Sequence, residues 1–268
     1  MRRQWLASVA VVALEAATPA LAAPPAPMPV APVYNWTGFY AGGNIGYSWG
    51  SANTNFIDPG LPGLFTGFGP AGLPSSYPAS LKPNGLIGGA QAGYNWQIGT
   101  RWVFGLEADL QGSAETAQTS FSNSYDCEGF NGPATCNLRQ TRSAKIQWFD
   151  TVRGRFGVLL TPTLWLYGTA GLAFGKVSAS GTVTDDPQNT GASFTFGNSQ
   201  INGGYAVGAG IEGAFANSKN WTWKVEYLYI DLGSLSGGGV EPITGSTYAW
   251  NARFIDNIMR VGFNYRFP

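Results

Sequence analysis

The sequence predicts an all-β chain closed into an eight-stranded antiparallel up-and-down transmembrane β-barrel. Three observations carry that expectation. Large apolar residues alternate with small or polar ones through eight segments, the period-two signature of a strand whose side chains leave opposite faces. Charge is scarce at 11%, while 38 Gly, 10 Trp, 12 Tyr and 16 Phe stand among 268 residues. Long and short connections take strict turns along the chain, as they do in barrels with short turns at one end and long loops at the other.

The chain opens with Arg2 and Arg3, an apolar stretch from Trp5 to Leu14, and Ala20-Leu21-Ala22. This charged, apolar, small-residue order is that of a secretory signal peptide over residues 1–22, with cleavage expected before Ala23. Glu15 interrupts the apolar part, and with Pro19 it argues against an anchoring helix. Without Arg2, Arg3 and Glu15 the chain keeps 13 basic and 14 acidic residues, a net charge of −1. "APPAPMPVAPV" follows, and residues 23–35 are expected to form an extended Pro/Ala-rich spacer. The barrel domain is assigned to 36–268.

The expected strands are 36–50, 84–97, 101–113, 143–160, 164–180, 199–215, 221–235 and 252–267. In the second, Leu86, Ala90, Ala92, Tyr94 and Trp96 oppose Gly89, Gln91, Gly93 and Asn95. In the third, Trp102, Phe104, Leu106, Ala108 and Leu110 oppose Glu107, Asp109 and Gln111. The fourth sets Ile146, Trp148, Val152, Phe156 and Val158 against Lys145, Gln147, Thr151, Arg153 and Arg155. Asp150 falls among the apolar set of that strand, which implies either a bulge or a place at the membrane interface. The last sets Val261, Phe263, Tyr265 and Phe267 against Arg260, Gly262, Asn264 and Arg266. A soluble core would bury these aromatics; it would then have to wet the arginines on the other side of the sheet, whereas a lipid-facing wall places them in the lumen.

Connections after the odd strands are long (51–83, 114–142, 181–198 and 236–251), and those after the even strands are short. Trp96, Trp102, Trp165, Trp221 and Trp223 flank the short turns, where an interfacial aromatic girdle is expected. Cys127 and Cys136 lie in "YDCEGFNGPATCN". In an exported chain this pair is expected to form a disulfide; two thiols without histidine make a poor zinc set.

Several function classes fall away. The chain has no histidine, which removes His-dependent triads and most zinc sites. Net charge is zero without a basic block, so no nucleic-acid partner is expected. "GAGIEG" (208–213) matches a dinucleotide fingerprint but lies inside an alternating segment rather than at a strand–turn–helix junction. Carboxylates such as Glu107 and Asp109 are two apart on one strand face, which salt bridging explains without hydrolysis. No enzyme activity and no cofactor are expected.

Seven ordered stretches carry a family resemblance: "YNWTGFYAGGNIGYSWG", "WVFGLEADLQG", "WFDTVRGRFG", "LYGTAGLAFG", "GYAVGAGIEGAF", "WKVEYLYIDLG" and "NIMRVGFNYRF". Across Trp36 to Phe267 the chain resembles the alphaproteobacterial outer-membrane β-barrel, or small porin-like, family, whose members are similar to the membrane domain of outer membrane protein A. The resemblance implies a place in the Gram-negative outer membrane, a spacer in the periplasm, and lipid and lipopolysaccharide as surroundings. It also implies a C-terminal aromatic signal for the barrel-assembly machinery, carried here by Tyr265 and Phe267 and displaced by Pro268.

With the aromatic faces in lipid, the lumen receives Glu107, Asp109, Glu212 and Glu226 against Lys145, Arg153, Arg155, Lys224, Arg260 and Arg266. An eight-stranded barrel is just wide enough for side chains to fill, so these charges are expected to pair into a plug. Arg260 is expected to pair with Glu226, with Arg260 and Arg266 set apart from the group around Glu107. The expected function is structural: a monomeric barrel that stabilises the envelope and displays surface loops. The alternatives are a small-solute or ion porin and a surface binding module.

Overall fold

The computed structural model describes residues 34–57, 76–126, 135–185, 193–216, 218–240 and 247–267. The expected signal peptide and most of the expected spacer, Cys127, Pro268 and residues 58–75, 127–134, 186–192, 217 and 241–246 lie outside the described residues. The strands are β1 (Gly38–Ile57), β2 (Ser76–Leu81), β3 (Asn84–Ile98), β4 (Trp102–Asp126), β5 (Thr135–Thr161), β6 (Leu164–Thr184), β7 (Ser193–Ala214), β8 (Trp221–Val240) and β9 (Thr247–Arg266). They form one antiparallel sheet ordered β2-β1-β3-β4-β5-β6-β7-β8-β9, and β1 pairs with β9 to close it.

Nine strands occupy eight places in the ring. β2 and β3 lie along the same side of β1 in one unbroken register, with Ala52 opposite Leu81 and Trp49 opposite Asn84. Gly50 N–H donates to Pro83 O at 2.8 Å. Proline has no N–H to return the bond, so the second wall strand is nicked at Lys82-Pro83 rather than doubled. At the short turn between β3 and β4, Gly99 takes φ 63°, a conformation that side chains disfavour.

The strands run much further than expected. β4 has 25 residues and β5 has 27, whereas a tilted strand crosses a bilayer in ~9–11. Most of the supposed long loops are wall. The outward apolar run covers only one end: Phe39 to Trp49 on β1, Trp102 to Leu110 on β4, Leu166 to Phe174 on β6, and Met259 to Phe267 on β9. Beyond it the outward residues are polar, for example Thr116, Gln118, Ser120, Ser122 and Ser124 on β4. Hydroxyls there pair across strands, Ser120 with Thr141 at 3.0 Å and Thr182 with Thr195 at 3.2 Å.

The interior inverts at the same height. Within the apolar belt the inward residues are largely polar, with charged and amide side chains joined by tyrosines and threonines such as Tyr40, Tyr167 and Thr151. Above it they are a packed apolar core that includes Phe56, Leu138, Ile146, Phe149, Val177, Phe196, Leu235 and Phe254. Phe56 stacks on Phe196 with ring centroids 4.9 Å apart. One sheet is thus inside-out where it meets lipid and right-way-out where it meets water.

Two placements correct the sequence reading. Gln147 pairs with neither neighbouring strand: the ladders to β4 and β6 both step from Trp148 to Ile146. That irregularity reverses the in/out parity of β5. Ile146 therefore turns into the core, and Lys145, expected in the lumen, is exposed on the outer wall. Asp150 stays on the outer face, between Leu110 of β4 and Phe174 of β6, three residues beyond the irregularity at Gln147. Trp165, expected in the girdle, is fully buried; it shares inward parity with Tyr167 and Thr169, and its ring fills the barrel end. Trp96, Trp102 and Trp221 do face outward.

Candidate functional site

The lumen of the membrane-spanning half is built from inward positions on five strands. β4 supplies Glu107 and Asp109, β5 Arg153 and Arg155, β7 Glu212, β8 Lys224 and Glu226, and β9 Arg260. Strand register prepares part of the pairing, since Glu107 stands opposite Arg153 and Glu226 opposite Arg260. Cross-strand neighbours of opposite charge are natural partners.

Side chains from facing walls then complete the network. Arg153 Nη2 donates to Glu107 Oε1 at 2.7 Å and to Asp109 Oδ2 at 2.8 Å, while its Nη1 reaches Glu226 Oε1 at 3.2 Å. Arg155 bridges Glu107, at 3.0 Å, and Glu212. Lys224 Nζ straddles the Glu107 carboxylate at 2.8 and 2.9 Å. Arg260 Nε donates to Glu226 Oε2 at 2.8 Å, and its Nη2 to Asp109 Oδ2 at 3.0 Å. The expected Arg260–Glu226 pair is present. The expected separation of Arg260 from the Glu107 group is not, because the lumen is narrow enough for β9 to reach β4 side chains directly.

Neutral groups satisfy part of what the ions leave, while Asp109 Oδ1, Arg155 Nε and Arg260 Nη1 are buried without a further hydrogen bond. Tyr40 donates to Glu107 at 2.8 Å and accepts from Arg155 at 2.7 Å. Tyr167 donates to Glu226 at 3.0 Å, Thr151 to Asp109 at 2.9 Å, and Thr222 to Glu212 at 2.7 Å. Asn264 joins Glu212 at 3.0 Å to Gln91 at 2.6 Å, which in turn accepts from Asn44 at 2.9 Å. Glu107, Asp109, Glu212 and Glu226 balance Arg153, Arg155, Lys224 and Arg260, so the plug is electrically neutral. Buried ions persist only when paired and hydrogen-bonded, and these are.

Arg266 does not join the carboxylates. It donates to the carbonyls of Asn35 and, at 3.2 Å, Thr37, and its guanidinium lies 4.8 Å from the Tyr34 ring centre. It holds the entering chain across the barrel end. There Trp36 is fully buried, donates through Nε1 to Pro162 O at 3.1 Å, and packs against Trp165 at 5.7 Å. Arg155 joins this aromatic stopper to the ion network, 4.7 Å from Trp165 and 4.2 Å from Tyr167. The sequence reading did not assign Tyr40, Tyr167 or Trp36 to the site. Strand parity signals the first two; the third lies before the first strand, where no period exists to read.

Cys136 is buried, and there is no free cysteine among the described residues. Tyr265 and Phe267 face outward and meet edge to face at 5.4 Å. No cluster of three or more metal-ligating side chains occurs among the described residues.

Comparison with known proteins places this geometry. The family profile described as "Outer membrane protein beta-barrel domain" matches residues 9–267. A 31 kDa outer-membrane immunogenic protein of Brucella melitensis biotype 1 is 37% identical over 276 residues, covering 100% of both chains. A 22 kDa outer membrane protein of Rhizobium leguminosarum bv. viciae is 34% identical over 208 residues, 77% of this chain and 69% of that one. Among solved structures, the outer membrane protein OprG from Pseudomonas aeruginosa aligns with 87% of this chain and 98% of its own, at a TM-score of 0.42 and 11% identity.

Proposed function

The chain belongs to the outer-membrane β-barrel family of Gram-negative bacteria, and from that footing we propose that it is a closed structural barrel, not a pore. The observation that supports this reading is the lumen: its ion-paired side chains have essentially no solvent exposure in the membrane-spanning half. A conducting path needs an open, hydrated lumen, whereas here the four acids and four bases that fill it are paired with one another. The aromatic stopper at Trp36 and Trp165 closes the turn end independently.

On this reading the protein anchors through its lipid-facing belt and carries an extended rigid wall above the membrane. The segments that join the wall strands are displayed at the cell surface as epitopes. Two Brucella relatives named as immunogenic outer-membrane proteins fit such exposure. Assembly as a monomer, recognition of Tyr265 and Phe267 by the barrel-assembly machinery, and a Cys127–Cys136 bridge belong to the same proposal. No catalytic step is assigned to it.

Planar-bilayer recording tests the proposal. The refolded full-length protein should insert without discrete current steps across the working voltage range. A stable unitary conductance that vanishes when the protein is omitted would refute the sealed lumen and favour the porin reading.

A further inference from the structure

Just above the ion network two carboxyl groups meet with no cation between them. Glu115 points inward from β4 and Asp256 from β9, both buried. They lie beyond the membrane-spanning runs, which end at Leu110 on β4 and begin at Met259 on β9. Of the two strands between them, β3 offers only Gly85, opposite Ser48 of β1, so no side chain larger than Ser48 stands between the two acids. Ser48 donates to Asp256, and the two acids are close enough for the Asp256 charge to act on Glu115.

The donors fall short. Ser48 has one proton and gives it to Asp256. Ser113 Oγ donates to Glu115 Oε1 at 2.9 Å. Glu115 Oε2 and Asp256 Oδ2 are left buried without a protein donor. The surrounding register partners are Ile146 opposite Glu115, Gly50 and Ile230 opposite Asp256, and Ile258 opposite Ser48; none titrates. The nearest charged groups on these walls are committed elsewhere. Arg260 and Asp109 belong to the network below, and Asp231 of β8 pairs with Arg253 at 2.6 Å. Arg142 of β5, above, donates to Thr54 and Gln140.

We propose that Glu115 and Asp256 hold one proton between them and form an acid-strengthened joint between the membrane-embedded and exterior halves of the barrel. A proton on one acid supplies the missing donor and removes the repulsion of two buried charges. Burial, reinforced by the neighbouring Asp256 charge, pushes Glu115 up to about 8. Burial likewise raises Asp256 to about 6. In the unfolded chain both acids ionise near pH ~4. Between that value and about pH 8 the folded barrel therefore keeps a proton that the unfolded chain has lost. Stability rises as pH falls through this window and is lost as pH rises through it, by up to about tenfold in the folding equilibrium per pH unit for one proton.

The test is urea unfolding of the full-length protein, followed by tryptophan fluorescence from pH ~5 to ~8.5, for wild type, Glu115→Gln and Asp256→Asn. The pH range brackets the linkage window. Wild type should lose stability as pH rises, and Glu115→Gln, with an amide able to donate permanently to Asp256, should remove most of that slope. An infrared band from a protonated carboxyl should be present in wild type at neutral pH and absent from Glu115→Gln. A flat wild-type profile, an unchanged slope in Glu115→Gln, or no protonated-carboxyl band in wild type would each overturn the proposal. Should Glu115→Gln fail to fold, the slope of Asp256→Asn and the wild-type band decide it.

Discussion

Glu226 shows how a single side chain serves several partners. Its carboxylate accepts from Arg153, Arg260 and Tyr167. Removing it leaves two buried guanidinium groups short of charge, so Glu226→Ala should cost about 3–5 kcal/mol in urea unfolding, the range for breaking a buried ion pair from one side. Glu226→Gln keeps the acceptor oxygen and should cost less. An unchanged midpoint in Glu226→Ala would mean that water already solvates these arginines. Gly93 makes the complementary point by lacking a side chain: a Cβ there would come within 2.4 Å of both Leu106 O and Tyr40 Oη. Gly93→Ala should therefore displace Tyr40 from Glu107 and destabilise the barrel at least as much as a typical overpacked core change, about 1–3 kcal/mol.

At the scale of the strand, the boundary between lipid and water is written along β4. Leu106 faces out within the belt and Ser120 faces out above it. Leu106→Arg should destabilise the inserted barrel by about 2–4 kcal/mol if it sits at the midplane, while Ser120→Arg should be close to neutral, both read from unfolding in lipid vesicles. Equal costs would place the belt elsewhere. On β5 the irregularity at Gln147 predicts that Lys145 reacts with a membrane-impermeant amine reagent on intact cells, while Lys224 reacts only after unfolding. Modification of Lys224 in the folded protein would contradict the plug. The outward Ser and Thr runs explain why the upper wall was read as loop. Their apolar partners, such as Tyr125, Leu138 and Val183, point to the inside, and the intervals between them contain no lipid-facing residue to mark a membrane strand.

For the whole molecule, the two halves solve one burial problem with opposite solutions. In lipid the apolar face is turned outward, and the polar remainder must satisfy itself in a lumen that admits little water. Above the membrane, water takes the polar face and the apolar residues close into a core. Such a tube should resist bending, and the joint at Glu115 and Asp256 lies where the two regimes meet. In the membrane-embedded half the ladders run unbroken around the ring and leave no strand edge to pair with another chain, in keeping with the monomer proposed above; higher up, the β3–β4 ladder ends at Asn84–Thr116 and the β7–β8 ladder at Tyr205–Asp231.

Period-two alternation by itself determined the barrel, the number of wall positions and the inward parity of Glu107, Asp109, Arg153, Arg155, Glu212, Lys224, Glu226 and Arg260, because parity is a local property of a strand. The same rule misplaced Lys145, since one unpaired residue reverses parity, and the nearby Asp150 signalled an irregularity without identifying Gln147 as the residue that leaves the ladder. Only the tertiary structure decided that Arg260 reaches across to Asp109, that Arg266 clamps the entering chain instead of a carboxylate, and that Trp36 and Trp165 stop the end of the lumen. Those contacts depend on barrel diameter and on how far strands lean, quantities that arise when the ring closes and that no single segment contains.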